Sequence, residues 1–396
     1  MQTQVGVFFG GRSVEHEVSV ISALQACRAL NKNKYRAVPV YLSRGGGFFT
    51  GDALLDIANY RDLPKLLGKA EQVVPVATND GRLRLAPLSG QTNRFFGKDN
   101  GVYIDVALPI VHGTNVEDGT LQGFLQTLGI PFAGCDVTAS ALGMDKYVQK
   151  LLFRDAGLPV LDCIRLSAGE YYSARDKSAA ALEWKLPYPM VIKPLNLGSS
   201  IGVALAQDRV GLQFAIEEAF QFCTRILIEP AITSLREINC AVLGDYDTAK
   251  ASECEEPKGG ALLSYDDKYG SGGKGSKAGG MTNLKRVLPA PISKELRTKI
   301  RETAVTAFKA LNCSGVARID FLLDTATANI FVNEINTIPG SLSFYLWEPL
   351  GMSYTELLEE LISLAFKRYR EDSSVHYDIE TNILSTFSGG GKRSKL

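Results

Sequence analysis

A predicted β-hairpin near the carboxyl end of the chain limits most strongly what this sequence can fold into. Residues 316–323 and 329–335 are two runs rich in β-branched and aromatic residues, and a short polar segment at 324–328 separates them. This pattern is typical of two antiparallel strands joined by a loop of about four or five residues. We therefore predict a hairpin that folds back near residue 327.

Four polar side chains are expected on one face of this hairpin. With the chain folded back at residue 327, Asp320 lies opposite Glu334. In the same register, Arg318 lies opposite Asn336. Because successive side chains of a strand point to opposite faces, all four project from the same side. The other face receives apolar side chains: Ile319, Phe321, Val332 and Ile335.

This group of polar side chains suggests a metal-assisted reaction of a polyphosphate. Carboxylate and amide oxygens are hard ligands suited to magnesium, and the absence of His and Cys among the four disfavours zinc. An arginine beside them suggests a polyphosphate whose reacting oxygens need positive charge. The alternative is an amphipathic hairpin with a solvated charged face. Short polar residues directly before the Pro-Gly turn at 339–340 favour the binding interpretation.

Length and composition indicate an ordinary globular protein of more than one domain. The chain has 396 residues, which exceeds what one core usually holds, so two or three domains are expected. Its 43 basic and 43 acidic residues cancel. This balance argues against a large nucleic-acid surface, although a local basic pocket remains possible.

The sequence shows no targeting feature that we can identify. Its N-terminus lacks a basic segment followed by a long apolar stretch, so no signal peptide is predicted. No run approaches the ~18 apolar residues of a membrane span. The seven cysteines are scattered and never spaced as CxxC, which is typical of reduced, core-filling thiols. We expect a soluble cytoplasmic protein without a membrane partner.

The amino-terminal part alternates strands and helices in the manner of a doubly wound α/β domain. A strand at 5–9 passes through a Gly-Gly turn into a helix at 18–30. A further strand is expected at 105–111, and a single helix at 139–156. The Gly-Gly turn lacks the GxGxxG spacing of dinucleotide-binding folds, which makes a dinucleotide-dependent oxidoreductase the weakest functional hypothesis.

Polar residues follow two of these strands. Glu15 comes after the first strand, and His112 comes directly after the strand at 105–111. Open α/β sheets bind ligands at the carboxyl ends of their strands. For Glu15, an acidic residue favoured by the dipole of a helix N-terminus is the alternative, and the residues alone do not decide between the two.

Two glycine-rich segments lie further along the chain. Residues 195–203 follow a strand that ends at Lys193, and their backbone N–H groups could close over phosphates, although the segment is not a Walker A loop. A hairpin turn without function is the alternative. Residues 259–283 are rich in glycine and poor in apolar residues, which is typical either of a lid that closes over a ligand or of a disordered surface excursion.

Seven ordered motifs together resemble the D-alanine–D-alanine ligases of the ATP-grasp superfamily. They are GGRSVEHEVS, HGTNVEDGTLQG, GIPFAGCDVTASALGMDK, KPLNLGSSIGV, YDDKY, ARIDF and NEINTIPG, and they span residues 10–340. The resemblance implies an α/β fold, α+β in its carboxyl-terminal half, with three domains and a doubly wound first domain. We place these at 1–143 (substrate domain), 144–228 (central domain) and 229–370 (catalytic domain with a lid at 264–283), followed by a tail at 371–396.

The resemblance also implies which residues bind ATP and metal. Residues expected to contact ATP are Lys146, Lys193, Ser199, Ser200, Glu229 and Glu237, with the lysines and serines at the phosphates, Glu229 at adenine and Glu237 at ribose. Asp320, Glu334 and Asn336 would hold two Mg²⁺ ions, with Glu334 bridging and Mn²⁺ as a substitute. Arg318 would stabilise charge on the transferred phosphate.

Further residues are implied for the amino-acid substrates. Glu15 would receive the ammonium group of the first D-alanine, and His112 would lie near its carboxylate. Lys268 and Tyr269 would be carried by the closing lid, and Tyr269 resembles family members that use an amine acceptor. The backbone N–H of Gly340 would stabilise the oxyanion.

One departure from the family pattern concerns the acceptor. Tyr345 stands where the family usually has a serine that grips the carboxylate of the second substrate. Its phenol can donate one hydrogen bond but is bulkier. Ser341 or Ser343 would replace that serine only if the turn shifts its register.

The implied activity is ATP-dependent joining of two D-alanines through a D-alanyl phosphate, for peptidoglycan precursors. The partners are the small molecules ATP and D-alanine, and a homodimer is expected. The alternatives are the same chemistry with another D-amino acid or a D-hydroxy acid as acceptor, and a nucleotide-binding protein without ligase activity.

Overall fold

A computed structural model describes residues 2–88, 101–198, 201–258 and 286–376 of the chain. Its strands are β1 (Thr3–Gly10), β2 (Tyr35–Leu42), β3 (Phe48–Thr50), β4 (Glu71–Ala77), β5 (Leu83–Pro87), β6 (Val102–Ile104), β7 (Val106–Pro109), β8 (Ile164–Ser167), β9 (Met190–Pro194), β10 (Ala204–Ala206), β11 (Arg225–Pro230), β12 (Leu235–Gly244), β13 (Ala249–Pro257), β14 (Arg286–Val287), β15 (Gly315–Asp324) and β16 (Asn329–Asn336).

The helices connect these strands and cover the sheets. They are α1 (His16–Ala29), α2 (Leu63–Lys69), α3 (Thr120–Thr127), α4 (Val137–Met144), α5 (Lys146–Asp155), α6 (Ala168–Ser173), α7 (Arg175–Lys185), α8 (Arg209–Ala219), α9 (Lys294–Ala310) and α10 (Tyr354–Ser373). The segment Gly340–Leu346 begins at the glycine of the predicted Pro-Gly turn and is kinked, with left-handed backbone angles at residues 341–343. None of the helices in the described ranges is long and apolar enough to cross a membrane.

The first sheet has seven strands in the order β6-β5-β4-β3-β2-β1-β7. Strand β1 pairs in parallel with β2 and with β7, so the carboxyl ends of β1 and β7 lie side by side. This parallel part confirms the predicted α/β character of the amino-terminal region. The antiparallel extension from β3 to β6 was not predicted as a whole. Within it, β4 and β5 pair as an antiparallel hairpin.

The second sheet is antiparallel, with the order β10-β9-β11-β8. The third has the order β14-β13-β12-β15-β16 and contains the predicted hairpin as β15 and β16. Each of these sheets has its own buried apolar cluster, which helices α8 and α9 respectively help to form. The opposite faces of the two sheets are therefore available to form a binding site.

The carboxyl-terminal helix α10 returns to the first sheet. Its buried residues Leu357, Leu361 and Ile362 belong to the same apolar cluster as Val5 and Val7 of β1. Burial of such side chains contributes about 1.5–3 kcal/mol each. This contact joins the end of the described chain to its beginning.

The predicted single helix at 139–156 is wrong, because the chain breaks at Asp145. The Asp145 carboxylate accepts hydrogen bonds from the backbone N–H groups of Tyr147 and Val148, at 3.0 and 3.1 Å. Aspartate is a strong N-cap because it satisfies the orphan donors of a first helical turn. A new helix, α5, therefore starts at Lys146 and carries Lys146 and Lys150 one turn apart on the same side.

Candidate active site

At its polar end the hairpin has the register predicted from the sequence. Asp320 of β15 pairs with Glu334 of β16, and Arg318 pairs with Asn336. The register then shifts by one residue between Asp320 and Phe321, which is a β-bulge. Bulges often adjust the direction of side chains next to active sites. The polar face at Arg318, Asp320, Glu334 and Asn336 is therefore confirmed as one group.

Asp320 holds the guanidinium group of Arg318 through two hydrogen bonds. Arg318 Nε and Nη2 donate to the two carboxylate oxygens at 2.6 and 2.8 Å. The amide nitrogen of Asn336 donates to Asp320 Oδ2 at 3.1 Å. Burial would lower the pKa of Arg318, but the Asp320 carboxylate outweighs it and keeps this pKa well above its ordinary value. The site thus contains a fixed, permanently charged arginine.

The carboxylates of the hairpin belong to a longer polar row across the third sheet. Glu334 pairs with Asp320, Asp320 with Asn239, and Asn239 with Glu255. Neighbouring residues in register share a face of a sheet. The sequence analysis identified only the hairpin end of this row, and a signal for the rest was the run of acidic residues at 253–256.

Lys146 reaches the same carboxylates from helix α5. Its ammonium nitrogen lies 3.2 Å from Glu334 Oε2 and donates to the carbonyl oxygen of Leu197 at 2.8 Å. Because Leu197 belongs to the predicted phosphate-binding segment at 195–203, one lysine links that segment to the hairpin. The structure therefore brings Lys146 to the predicted site.

Lys193 and Glu229 meet on the second sheet, together with a residue that the sequence analysis missed. Glu229 lies 2.6 Å from Lys193 and 2.5 Å from Lys150, and its side chain is 1% exposed. Burial raises the pKa of Glu229, but the two ammonium groups outweigh this effect and lower it to about 2. Lys193 also donates to the Asn333 amide oxygen at 3.0 Å. The spacing of four residues from Lys146 was the signal that could have identified Lys150.

Two cavities meet at these residues. The first cavity lies between the third sheet and the carboxyl ends of β1 and β7. The second cavity, with a volume of about 330 Å³, lies between the second and third sheets, and its lining includes Lys193 and Glu229. Six residues belong to the lining of both cavities: Lys146, Leu197, Gly198, Glu237, Asp320 and Glu334. A ligand in one cavity would therefore meet a ligand in the other at the polar row.

The amino-terminal wall of the first cavity contains Glu15 and His112, as predicted. A Cβ at Gly198 would lie 2.5 Å from Glu15 Oε2, so glycine lets the second-sheet loop approach this carboxylate without displacing it. His112 interacts through Nδ1 with the Ile338 carbonyl oxygen at 2.8 Å. Burial lowers the pKa of His112, and the Glu15 carboxylate offsets this only in part.

Glu117 is a further buried acid in this wall that the sequence analysis did not single out. It accepts hydrogen bonds from the backbone N–H groups of Gly113 and Ile338, at 2.8 and 3.0 Å. Burial, with a contribution from the Glu15 carboxylate, raises the pKa of Glu117 to about 7. Its two backbone partners connect the loop after β7 to the loop after β16.

The turn after β16 places Gly340 and Tyr345 at the first cavity, but neither serine of the turn belongs to the described lining. Ser341 instead donates its hydroxyl to Gln25 at 2.6 Å. Ser343 is fully buried. Tyr345 donates its phenol hydroxyl to Glu255 at 2.9 Å. The structure therefore does not bring Ser341 and Ser343 to the acceptor side as alternatives to Tyr345.

Four predicted site residues and the predicted lid cannot be placed. Ser199, Ser200, Lys268 and Tyr269 lie outside the described residues, as does the lid at 264–283. Their roles stay predictions.

Comparison with known proteins connects this geometry to one family. A family model described as D-ala D-ala ligase N-terminus matches residues 4–135, and one described as D-ala D-ala ligase C-terminus matches residues 152–363. The chain belongs to the D-alanine–D-alanine ligase family. It is a ligase, and it depends on ATP as the family does.

Individual relatives of this ligase cover nearly the whole chain. The D-alanine–D-alanine ligase of Thermosipho melanesiensis is 38% identical over 383 residues, which are 96% of this chain and 98% of the relative. The solved D-alanine–D-alanine ligase of Coxiella burnetii has a TM-score of 0.77 and 28% identity, and covers 94% of this chain and 96% of its own. The VanG D-Ala:D-Ser ligase of Enterococcus faecalis has a TM-score of 0.74 and 30% identity, with 92% and 100% covered.

These matches decide between the hypotheses drawn from the sequence. The ATP-grasp fold predicted for the chain is the fold of its solved neighbours, and an oxidoreductase or a binding protein without ligase activity is not supported. The two solved ligases named here differ in their second substrate, as their names state. The acceptor side of this ligase is therefore the part that needs its own physical argument.

Proposed function

We propose that this chain carries out the reaction for which its family is named, the ATP-dependent joining of two D-alanines, and that its polar row is the reaction centre. The observation that carries the proposal is the shared wall of the two cavities, which contains Lys146, Asp320 and Glu334. ATP in the second cavity and an amino acid in the first would meet at this wall. The product, D-Ala-D-Ala, would serve peptidoglycan precursors.

ATP is proposed to occupy the second cavity. Lys146 and Lys193 would neutralise its phosphates, with Ser199 and Ser200 in the phosphate loop. Glu229 would meet the adenine edge, since a carboxylate that stays ionised accepts a hydrogen bond from an amino group. Glu237, on the shared wall, would contact the ribose.

Two magnesium ions are proposed to accompany the nucleotide, with Mn²⁺ able to replace them. Asp320, Glu334 and Asn336 would hold them, because two carboxylates and an amide are hard oxygen ligands. In the described ranges no group of three or more His, Cys, Asp or Glu side chains is gathered for a metal. The protein ligands alone are therefore few, and ATP phosphate oxygens would complete the coordination. Bound there, the ions would neutralise charge on the transferring phosphate.

The proposed chemistry has two steps. A carboxylate oxygen of the first D-alanine attacks the γ-phosphorus of ATP, which gives D-alanyl phosphate and ADP. The neutral amine of the second D-alanine then attacks the carbonyl carbon, and phosphate leaves as the amine loses a proton. Arg318 and the backbone N–H of Gly340 would stabilise the oxyanion between these events. Glu15 would hold the ammonium group of the first D-alanine and His112 would lie near its carboxylate, with Lys268 and Tyr269 supplied by the lid.

The proposal also includes the division of the chain into domains, its oligomeric state and its location. The seven-stranded sheet falls in domain 1–143, the second sheet mainly in 144–228, although β11 runs on to Pro230, and the third in 229–370. Residues 371–396 would form a tail. A homodimer rests on the resemblance to the family, and light scattering would test it. A cytoplasmic location is supported by seven cysteines that are all free.

The deciding experiment measures ADP release by the purified protein with Mg-ATP and D-alanine, followed by mass analysis of the product. Formation of D-Ala-D-Ala supports the proposal. ADP release only after addition of another D-amino acid or a D-hydroxy acid would favour the second candidate, the same chemistry with a different acceptor. The similarity to the VanG D-Ala:D-Ser ligase and the position of Tyr345 are the observations that support this second candidate. No ADP release with any such substrate would overturn both.

A further inference from the structure

The hydroxyl of Tyr345 is already used within the protein. It donates to Glu255 Oε1 at 2.9 Å, and the phenol is almost fully buried. Burial, together with the Glu255 carboxylate, raises the pKa of Tyr345 above its ordinary value, so the phenol keeps its proton. A hydroxyl has one proton to donate. Tyr345 therefore does not replace the family's serine by donating to the carboxylate of the second substrate.

Tyr345 instead supports an arginine at the same wall of the cavity. The guanidinium carbon of Arg286 lies 3.7 Å from the centroid of the Tyr345 ring, which is a close cation–π contact. Arg286 Nη1 also lies 3.1 Å from Glu255 Oε2. The Arg286 side chain is 12% exposed and belongs to the lining of the first cavity. Its plane is thus fixed by a ring on one side and a carboxylate at one edge.

The other cations described in this lining have different tasks. Lys146 contacts Glu334 at the wall shared with the nucleotide cavity. Arg318 faces Asp320 with two of its nitrogens. Arg286 contacts Glu255 through Nη1, and it does not belong to the lining of the second cavity. Arg318 and Arg286 both line the first cavity and not the second. Since Arg318 is assigned to the oxyanion of the proposed reaction, Arg286 is the cation available for a second charged group of a ligand in the first cavity.

The attacking amino acid needs such a cation. Its amine must be neutral to attack, so the bound molecule carries the negative charge of its carboxylate alone. Burial of an uncompensated carboxylate is strongly unfavourable, whereas a guanidinium group matches its geometry. We propose that Arg286 binds the carboxylate of the acceptor, with Glu255 and Tyr345 as positioning residues that hold the guanidinium group. The proposal rests on the ligase function given above.

The test separates formation of the acyl phosphate from its transfer to the acceptor. Hydroxylamine can trap the D-alanyl phosphate as a hydroxamate, and it has no carboxylate for Arg286 to bind. In Arg286→Met we expect the KM for the acceptor D-alanine to rise at least about 30-fold, since truncating one partner of a charged pair has large effects. Hydroxamate formation from Mg-ATP, D-alanine and hydroxylamine should stay within about threefold of the unmodified enzyme.

A matched control is Arg236→Met. Arg236 pairs with Glu256, the neighbour of Glu255 on β13, at 2.7 and 2.8 Å, and it does not belong to the described lining of either cavity. Its acceptor KM should stay within about twofold, since it holds no substrate. Equal losses of dipeptide and hydroxamate in Arg286→Met, or an unchanged acceptor KM, would overturn the proposal. An unmodified enzyme that forms neither product would instead count against the ligase function itself.

The positioning roles have a separate readout. Tyr345→Phe keeps the ring and should raise the acceptor KM only about threefold, whereas Tyr345→Leu removes the cation–π contact and should raise it about tenfold or more. In both variants the hydroxamate rate should be nearly unchanged. Arg286→Lys should recover part of the acceptor affinity lost in Arg286→Met. Lysine keeps the positive charge but cannot form the two parallel hydrogen bonds of a guanidinium group with a carboxylate. A hydroxamate rate that falls together with acceptor affinity in the Tyr345 variants would show a general structural role and overturn the positioning assignment.

Discussion

The ammonium nitrogen of Lys150 lies 2.5 Å from the Glu229 carboxylate, and both side chains are 1% exposed. Lys193 approaches the other oxygen of the same carboxylate. One buried acid thus joins helix α5 to two strands of the second sheet. Because removal of water from a charge is costly, such a group is stable only while its partners remain.

The first prediction is that Lys150→Met destabilises the protein strongly. Glu229 would keep one of its two cations in a buried position, and loss of a buried partner typically costs about 3–5 kcal/mol. The measurement is the free energy of unfolding in urea. Lys146→Met is the control, because it removes the same charge one turn earlier from a lysine that faces the cavities. It should lower ATP affinity with a smaller change in stability, and a larger loss of stability than in Lys150→Met would contradict the assignment.

The second prediction concerns pH and Glu117. Burial raises the pKa of Glu117 from 4.5 to about 7, so the folded protein keeps a proton that the unfolded chain has released. The free energy of unfolding should therefore fall as pH rises from about 4.5 to about 7, by on the order of 3 kcal/mol from this group. Unfolding measured across this range for the unmodified protein and Glu117→Gln provides the check. The variant should have the flatter slope, and equal slopes would contradict the prediction.

The pairing at the polar end of the hairpin could be predicted because it depends on neighbouring residues, whereas the bulge after Asp320 was not predicted. The polar loop at 324–328 and the alternation of apolar residues on either side of it are both visible in the sequence. Together they fix which side chains share a face. Asp320 opposite Glu334 follows from this local pattern, and the structure agrees.

The group formed by Glu255, Arg286 and Tyr345 could not be predicted because its members are far apart in the chain. Glu255 is connected to the hairpin end of the polar row through Asn239, and Arg286 reaches Glu255 from a different strand. Nothing in a single sequence states that β12 lies between β13 and β15. The family pattern indicated that position 345 was unusual. It did not show that the phenol would turn to Glu255.

The third prediction is that Glu334→Gln abolishes turnover while the nucleotide still binds. The amide removes one negative charge from the proposed metal ligands, and the loss in kcat should exceed about 10³-fold, which corresponds to about 4 kcal/mol of transition-state stabilisation. ADP affinity, measured by calorimetry, should change about tenfold or less, because Lys193 and the second cavity remain. A variant that binds ADP normally and keeps more than about a tenth of its kcat would show that Glu334 is not an essential ligand.

The last prediction concerns the backbone after Gly340. Ser341, Leu342 and Ser343 have φ angles of 50°, 54° and 51°, which is the left-handed region that residues with a Cβ rarely adopt. Each residue there is destabilised by about 1–2 kcal/mol. The Ser343 hydroxyl is also buried without a hydrogen-bond partner among the described residues. The turn that positions Gly340 and Tyr345 is therefore held in place by its surroundings against its own preference.

We expect Ser343→Gly to raise the free energy of unfolding by about 1 kcal/mol. Glycine removes the strain and the buried hydroxyl, and the extra entropy of glycine in the unfolded chain offsets about 0.5–1 kcal/mol of this gain. Leu342→Gly is the matched control at the same backbone angle. Its side chain is 3% exposed, so its removal should destabilise the protein by about 2–4 kcal/mol. If Ser343→Gly instead loses stability, or raises the acceptor KM about tenfold, the hydroxyl has a partner in the working enzyme, and Ser343 regains the acceptor role that its position in the turn argues against.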